Sequence, residues 1–218
     1  WWFQDLDDAD FARVNAIVDL SDRRYATRVG YGSSMGAYAA LQFARPLRLD
    51  RVLALSPQFA LSQPWDTRWH DEMALVEIRH RLTPDAVAPG CAYFICFDPI
   101  DRDRFHVRRY AEILPVDRLT LYPVPYAGHP AAEMLNEGGV LKAVALGILD
   151  EGRPPGRRLI RDARRRSERY FHLLSLHCWR RRKHAWALAA IDRAIALAPD
   201  RAALHGHRSA VLDSLGRP

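Results

Sequence analysis

Cysteine is scarce: there are three in 218 residues, an odd number with no Cys-x-x-Cys spacing. They supply no disulfide framework and no dithiol redox or zinc-binding pattern. Cys91 and Cys96 lie five apart in one apolar run, so on a strand they point to opposite faces and cannot pair. Reduced cysteines in a cytoplasmic protein are the expectation. Long hydrophobic runs are missing too. None approaches the roughly 20 residues that cross a bilayer, so no membrane span is expected. No signal-peptide pattern opens the sequence, which starts at Trp1-Trp2-Phe3 and stops at Gly216-Arg217-Pro218. Both ends read as cut, and a leader upstream is left open. No cluster has metal-ligand spacing and no glycine loop has phosphate-binding form, so neither metal nor cofactor is expected.

Positive charge is plentiful but confined. The formal net charge is +6. Residues 151–185 hold twelve Arg or Lys against three acids, a local +9 that leaves −3 for the rest of the chain. The run lacks interleaved aromatic platforms and any nucleic-acid motif, so it reads as a solvated helical face or a dock for an acidic partner. Nucleic acid is therefore not the expected ligand.

What is present is ample apolar content, 49% of residues, enough for a packed core in one domain or two small ones. Asp7-Asp8 precede Phe11, Val14, Ile17 and Val18 at helical spacing, which predicts an amphipathic helix with acids at its start. Short apolar runs then alternate with helical stretches: 28–31, 51–56 (RVLALS), 91–97 (CAYFICF) and 119–124 (LTLYPV). Strands alternating with helices predict a parallel sheet in an α/β layer fold. The connection from Pro64 to Arg81 is long, carries Trp65 and Trp69, and is expected to cap the strand ends. Asp150–Arg158 (DEGRPPGRR) cannot continue a helix and reads as a linker. Beyond it the pattern is helical only.

The stretch GYGSSMG carries the chemistry. Gly32-x-Ser34-x-Gly36 matches Gly-x-Ser-x-Gly between a strand and an alanine-rich helix. A turn tight enough to lift a serine oxygen above the sheet crowds the residues two before and two after it. Those are glycines for Ser34 but Tyr31 and Met35 for Ser33, so Ser34 is the nucleophile candidate and Ser33 is packing. A serine needs a base and a group to orient that base. Of nine histidines, His129 stands in a glycine loop after the last strand run, where it can reach over the sheet edge. The acid should follow the preceding strand, where Asp98, Asp101 and Asp103 crowd into six residues. Asp101, just past the strand end, ranks first; Asp103 and then Asp98 are the alternatives.

This order of motifs resembles the α/β-hydrolase family over residues 1–150, corresponding to strands five to eight of that family's three-layer fold. The resemblance implies that Ser34 attacks an acyl carbonyl, His129 shuttles the proton and the aspartate fixes the imidazole tautomer. It implies an oxyanion donor at the backbone N–H of Met35. The family often has a second glycine after Gly36, where this chain has Ala37. The family's other donor comes from a loop after its third strand, here either missing or supplied by backbone near Trp1-Trp2. The Ser34 strand would then form an open sheet edge, so the chain alone is expected to be unstable or aggregation-prone. Ser56, Trp65 and Trp69 are the expected substrate-binding residues, with Phe59 beside them, for a small acyl-bearing substrate.

After a basic linker and helix start at 151–167, residues 168–218 resemble a tetratricopeptide repeat, a helix pair of about 34 residues. Phe171, Leu174, Ser175 and Cys178 fit its first helix; Ala187, Ile191 and Ala194 fit its second, and Pro199 closes it. Ser209, Leu212 and Leu215-Gly216-Arg217 resemble part of a further copy. The resemblance implies a protein partner and further repeats. Two functions follow from the sequence: a serine esterase, thioesterase or acyltransferase with attached interaction repeats, or a non-catalytic hydrolase-like scaffold acting through those repeats.

Overall fold

A computed structural model describes residues 3–20, 25–60, 63–73, 75–77 and 79–216. The chain opens with α1 (Asp8–Asp19), and then β1 (Val29–Ser33), α2 (Met35–Gln42) and β2 (Arg51–Leu55) follow. A long connection bearing the short α3 (His70–Met73) leads to β3 (Ala92–Phe97), α4 (Asp103–Ile113) and β4 (Leu119–Pro123). Helices α5 (Ala131–Glu137), α6 (Leu141–Leu149) and α7 (Arg157–Arg164) come next, before α8 (Glu168–Arg180), α9 (His184–Leu197) and α10 (Ala202–Asp213). The four strands form one parallel sheet in the order β1-β2-β3-β4. The α/β class expected from alternating strands and helices is thus present.

Strand periodicity assigns the two faces. Val52 and Ala54 of β2, with Tyr93 and Ile95 of β3, face Ala37 and Leu41 of α2 and Val107 and Tyr110 of α4. Their neighbours Leu53, Leu55, Phe94 and Cys96 face Met134 and Leu135 of α5, Val144 and Ile148 of α6 and Ile160 and Ala163 of α7. Both central strands are therefore covered on both sides, which is why they read as near-continuous apolar runs. Cys91 belongs to one face and Cys96 to the other, and both are buried free thiols. Burial pushes the Cys91 thiol up to about 12. Strand β1 pairs only with β2 among the described residues, and Val29 and Tyr31 stand 43% and 48% exposed along that edge.

Local chemistry sets the helix starts. Asp7 accepts from the Asp10 N–H at 2.9 Å while Asp10 accepts from the Asp7 N–H at 3.1 Å, a reciprocal cap on α1. Ser167 caps α8 by accepting from the Tyr170 N–H at 3.0 Å.

The basic segment 151–167 is partly helical. It contains α7, whose Ile160 and Ala163 are buried in the sheet core. Tyr122 Oη donates to Pro155 O at 2.9 Å, tying the Pro-rich turn to β4. Gly138 permits the close approach of α5 and α7: a Cβ there would lie 2.7 Å from Ala163 Cβ. In the tail, Ile191, Ala194 and Leu204 form a separate small core with Phe171, Leu188 and Ile195 packed on it. Ser175 is buried and donates to Ala187 O at 2.7 Å, so a small polar residue suits that helix crossing. No helix among the described residues is long and apolar enough to cross a membrane.

Candidate active site

Parallel strands bring their C-terminal ends to one rim, and the residues singled out in the sequence follow those ends. Ser34 joins β1 to α2 with φ 53° and ψ −113°, a strained conformation for a residue with a side chain. The Ser34 N–H donates to Leu55 O at 2.8 Å, so the ladder with β2 runs up to the turn itself. A Cβ on Gly32 would lie 2.2 Å from both the carbonyl carbon and oxygen of Gly36, which makes glycine obligatory at position 32. Gly36 is different: among the described residues a Cβ there meets nothing within 4 Å, so the expected need for two small residues applies to one side only. Ser33 ends β1 with its Oγ buried and, among the described residues, without a hydrogen-bond partner. The Met35 N–H is the first of α2 and has no preceding turn to supply an acceptor.

His129, in the loop between β4 and α5, brings Nε2 to 2.9 Å from Ser34 Oγ. Its Nδ1 lies 2.9 and 3.0 Å from the two carboxylate oxygens of Asp103, which is fully buried in the first turn of α4. An ionised carboxylate only accepts, so Nδ1 carries the proton and Nε2 offers its lone pair to the serine hydroxyl. Burial alone would raise the Asp103 carboxyl. The hydrogen bonds from His129 and Ser56 and the positive charge of Arg68 outweigh it and hold the group below the ordinary carboxylate range.

The first-ranked acid is thereby corrected. Asp101 does not meet His129; its Oδ1 accepts from Arg68 Nη1 and from the Asp103 N–H, both at 3.1 Å. Asp98 has a third task. Its Oδ1 accepts from the Ile100 N–H and its Oδ2 from the Gly128 N–H, each at 2.8 Å, bracketing the histidine loop through the backbone. Burial raises the Asp98 carboxyl despite those bonds.

Arg68, from the β2–β3 connection, holds the acids together. Its fork bonds Asp66 through both oxygens, and its terminal nitrogens reach Asp101 at 3.1 Å and Asp103 at 3.0 Å. Asp66 is fully buried and also accepts from His106 Nε2 at 2.9 Å. His106 Nδ1 accepts from the Phe59 N–H at 3.0 Å, which fixes this second imidazole as the neutral Nε2–H tautomer. Burial, reinforced by the Arg68 charge and opposed by Asp66, lowers the His106 imidazole. Asp66 itself is driven far below the carboxylate range, because its bonds to Arg68 and His106 overcome its burial.

The expected substrate-binding residues separate. Ser56 is fully buried: its Oγ accepts from the Ala131 N–H at 2.9 Å, and its hydroxyl bonds the Asp103 carboxylate. Trp65 packs tilted against Phe105 at 5.3 Å and edge-on against His106 at 4.6 Å, and lines a cavity of about 600 Å³ with Phe59 and Tyr38. Neither Ser34 nor His129 borders that cavity. Trp69 meets His129, edge to face with its ring at 5.7 Å. Gln58, fully buried, places its Oε1 3.2 Å from Ser34 Oγ, whose one proton goes to His129 Nε2 in this tautomer. Its Nε2 stands 3.1 and 3.2 Å from the two His129 nitrogens, near-equal distances that put it over the ring face rather than on either lone pair. Trp1-Trp2, the expected source of a second oxyanion donor, lie outside the described residues. Asp66, Arg68 and His106 were not singled out in the sequence, where an Asp-x-Arg pair in a long connection was the one available sign.

Comparison with protein-family models, with curated proteins and with solved structures finds no match to this chain.

Proposed function

We propose that the protein is a serine hydrolase of the α/β-hydrolase type, acting on a carboxylic ester or thioester or transferring that acyl group. The observation that carries this reading is the continuous relay Ser34 Oγ–His129 Nε2 and His129 Nδ1–Asp103, each link at 2.9 Å, with the serine on a strained strand-to-helix turn. His129 takes the Ser34 proton as Oγ attacks the acyl carbonyl, and Asp103 stabilises the imidazolium that forms. The Met35 N–H donates to the oxyanion. His129 returns the proton to the leaving alcohol or thiol, and a second pass with water or another acceptor releases the acyl group. Trp69 walls the imidazole on the cap side, and the α8–α10 tail serves as a tetratricopeptide-like surface for a protein partner.

The test is labelling of the folded chain with a fluorophosphonate probe, which reacts with an activated serine. Wild type should label and Ser34→Ala should not. Folded wild type that never labels would count for the scaffold and against the enzyme.

A further inference from the structure

The loop bearing His129 is held from two sides, and one of them is the helical tail. On the sheet side, Asp98 accepts from the Gly128 N–H. On the tail side, Arg169 of α8 donates from Nε to Ala127 O at 2.7 Å and from Nη2 to His129 O at 2.6 Å. Its remaining nitrogen, Nη1, pairs with the Glu133 carboxylate of α5. A single planar guanidinium thus bridges the carbonyls on either side of Gly128.

Gly128 sits at φ +67°, a conformation glycine adopts without steric cost, so it is the natural pivot of the loop. It also has no room for a side chain: a Cβ would lie 2.7 Å from Leu173 Cδ1 of α8. The helix itself is anchored. Ser167 Oγ donates to Glu137 at 2.6 Å, and Tyr170 and His177 pack edge to face on Tyr126 at 5.8 and 5.5 Å.

We propose that Arg169 is a positioning residue for His129, so that the helical tail is a working part of the catalytic site; this rests on the hydrolase reading above. Asp103 holds the imidazole at Nδ1 alone. The backbone that carries the ring is held by Asp98 and Arg169 together, and without Arg169 the loop pivots at Gly128. A displacement of about 1 Å at a catalytic group can cost about 100-fold in rate.

The experiment uses the whole chain and the variants Arg169→Gln, Arg169→Lys and Arg161→Gln, the last an exposed arginine on α7. Hydrolysis of a p-nitrophenyl ester gives kcat and KM, fluorophosphonate labelling gives the serine's reactivity, and amide hydrogen exchange over residues 125–131 reads the loop directly. Arg169→Gln should lower kcat and labelling rate about 10- to 100-fold with KM within about threefold, and speed loop exchange. Arg169→Lys, which keeps the charge but loses the fork, should fall between, and Arg161→Gln should match wild type. Wild-type kcat in Arg169→Gln overturns the proposal, as does a slower enzyme whose loop exchange is unchanged. Should Arg169→Gln not fold, folded Arg169→Lys decides by the same two readings. A wild-type chain that never labels sinks the hydrolase reading and this proposal with it, whereas a labelled wild type indifferent to position 169 sinks this proposal alone.

Discussion

Replacing Asp103 and Asp101 separately by asparagine discriminates between two carboxylates that stand two residues apart. Asparagine is nearly isosteric but has one acceptor oxygen where aspartate has two. At position 103 the oxygen is contested: Arg68 Nη2 and His129 Nδ1 both lie 3.0 Å from Oδ1, while Nδ1 also lies 2.9 Å from Oδ2. The charged guanidinium is the stronger donor, so it takes the oxygen and leaves the amide NH₂ facing Nδ1. The imidazole must then carry its proton on Nε2, where it donates to Ser34 instead of accepting from it. A wrong tautomer of this kind costs about 10⁴ in kcat. At 1.36 kcal/mol per tenfold, that is about 5.4 kcal/mol of transition-state stabilisation. Asp101→Asn keeps an oxygen for both the Arg68 and Asp103 N–H bonds and touches no part of His129, so its cost is about 1 kcal/mol and under tenfold in rate. The assay is ester hydrolysis alongside fluorophosphonate labelling, with thermal melts to show that both variants fold. Equal losses at the two positions, or an Asp103→Asn enzyme with near-normal kcat, would refute the tautomer argument.

Two further outcomes concern stability. Gly32→Ala drives a methyl into the Gly36 backbone at 2.2 Å and should cost about 3 kcal/mol or prevent folding, whereas Gly36→Ala enters open space on a helix and should be neutral or gain up to about 1 kcal/mol. Denaturant unfolding of both decides, and similar losses would contradict the one-sided crowding. Asp66 and Asp103 are held below the ordinary carboxylate value of 3.8, so their stabilisation is fully present above it and is lost as pH falls through their lower folded values. Asp98 is raised and runs the other way, its contribution fading as pH rises past 3.8. The melting temperature should fall steeply below about pH 4, and Asp66→Asn should be less stable at neutral pH yet flatter in acid; an unchanged acid slope in that variant would count against the Arg68 network.

Ser34 and His129 were legible because each depends on local chemistry. A turn between strand and helix admits few residues two places before its centre, and Gly32 declares that in the sequence. A histidine among glycine and proline after an apolar run marks a loop at a strand end, and parallel strands send all such loops to one rim. The two faces of β2 and β3 were likewise readable in principle from their apolar alternates. Arg68 was not, because its partners are set by how a long connection folds back over β3, and no periodicity governs that path. Arg169 was hidden for a related reason. It sits in a run of arginines that composition alone marks as solvated surface, and only the docking of α8 on α5 turns one of them inward toward the histidine loop.

The misranked acid has a more specific cause. Distance past the strand end favoured Asp101, yet the side chain that faces inward is decided by the helix that follows. The buried residues of α4 are Asp103, His106, Val107 and Tyr110, the spacing of one helical face. Counting back from Val107 and Tyr110 at steps of four and three arrives at Asp103 and skips Asp101. An acid on the apolar face of a helix is costly to bury unless it is paired, so its presence there already demands a partner. His129, Arg68 and Ser56 meet that demand, while Asp101 and Asp98, off the helix, serve the arginine and the loop backbone. The periodicity of the next helix, rather than proximity to the strand, is thus what singles out one carboxylate among three.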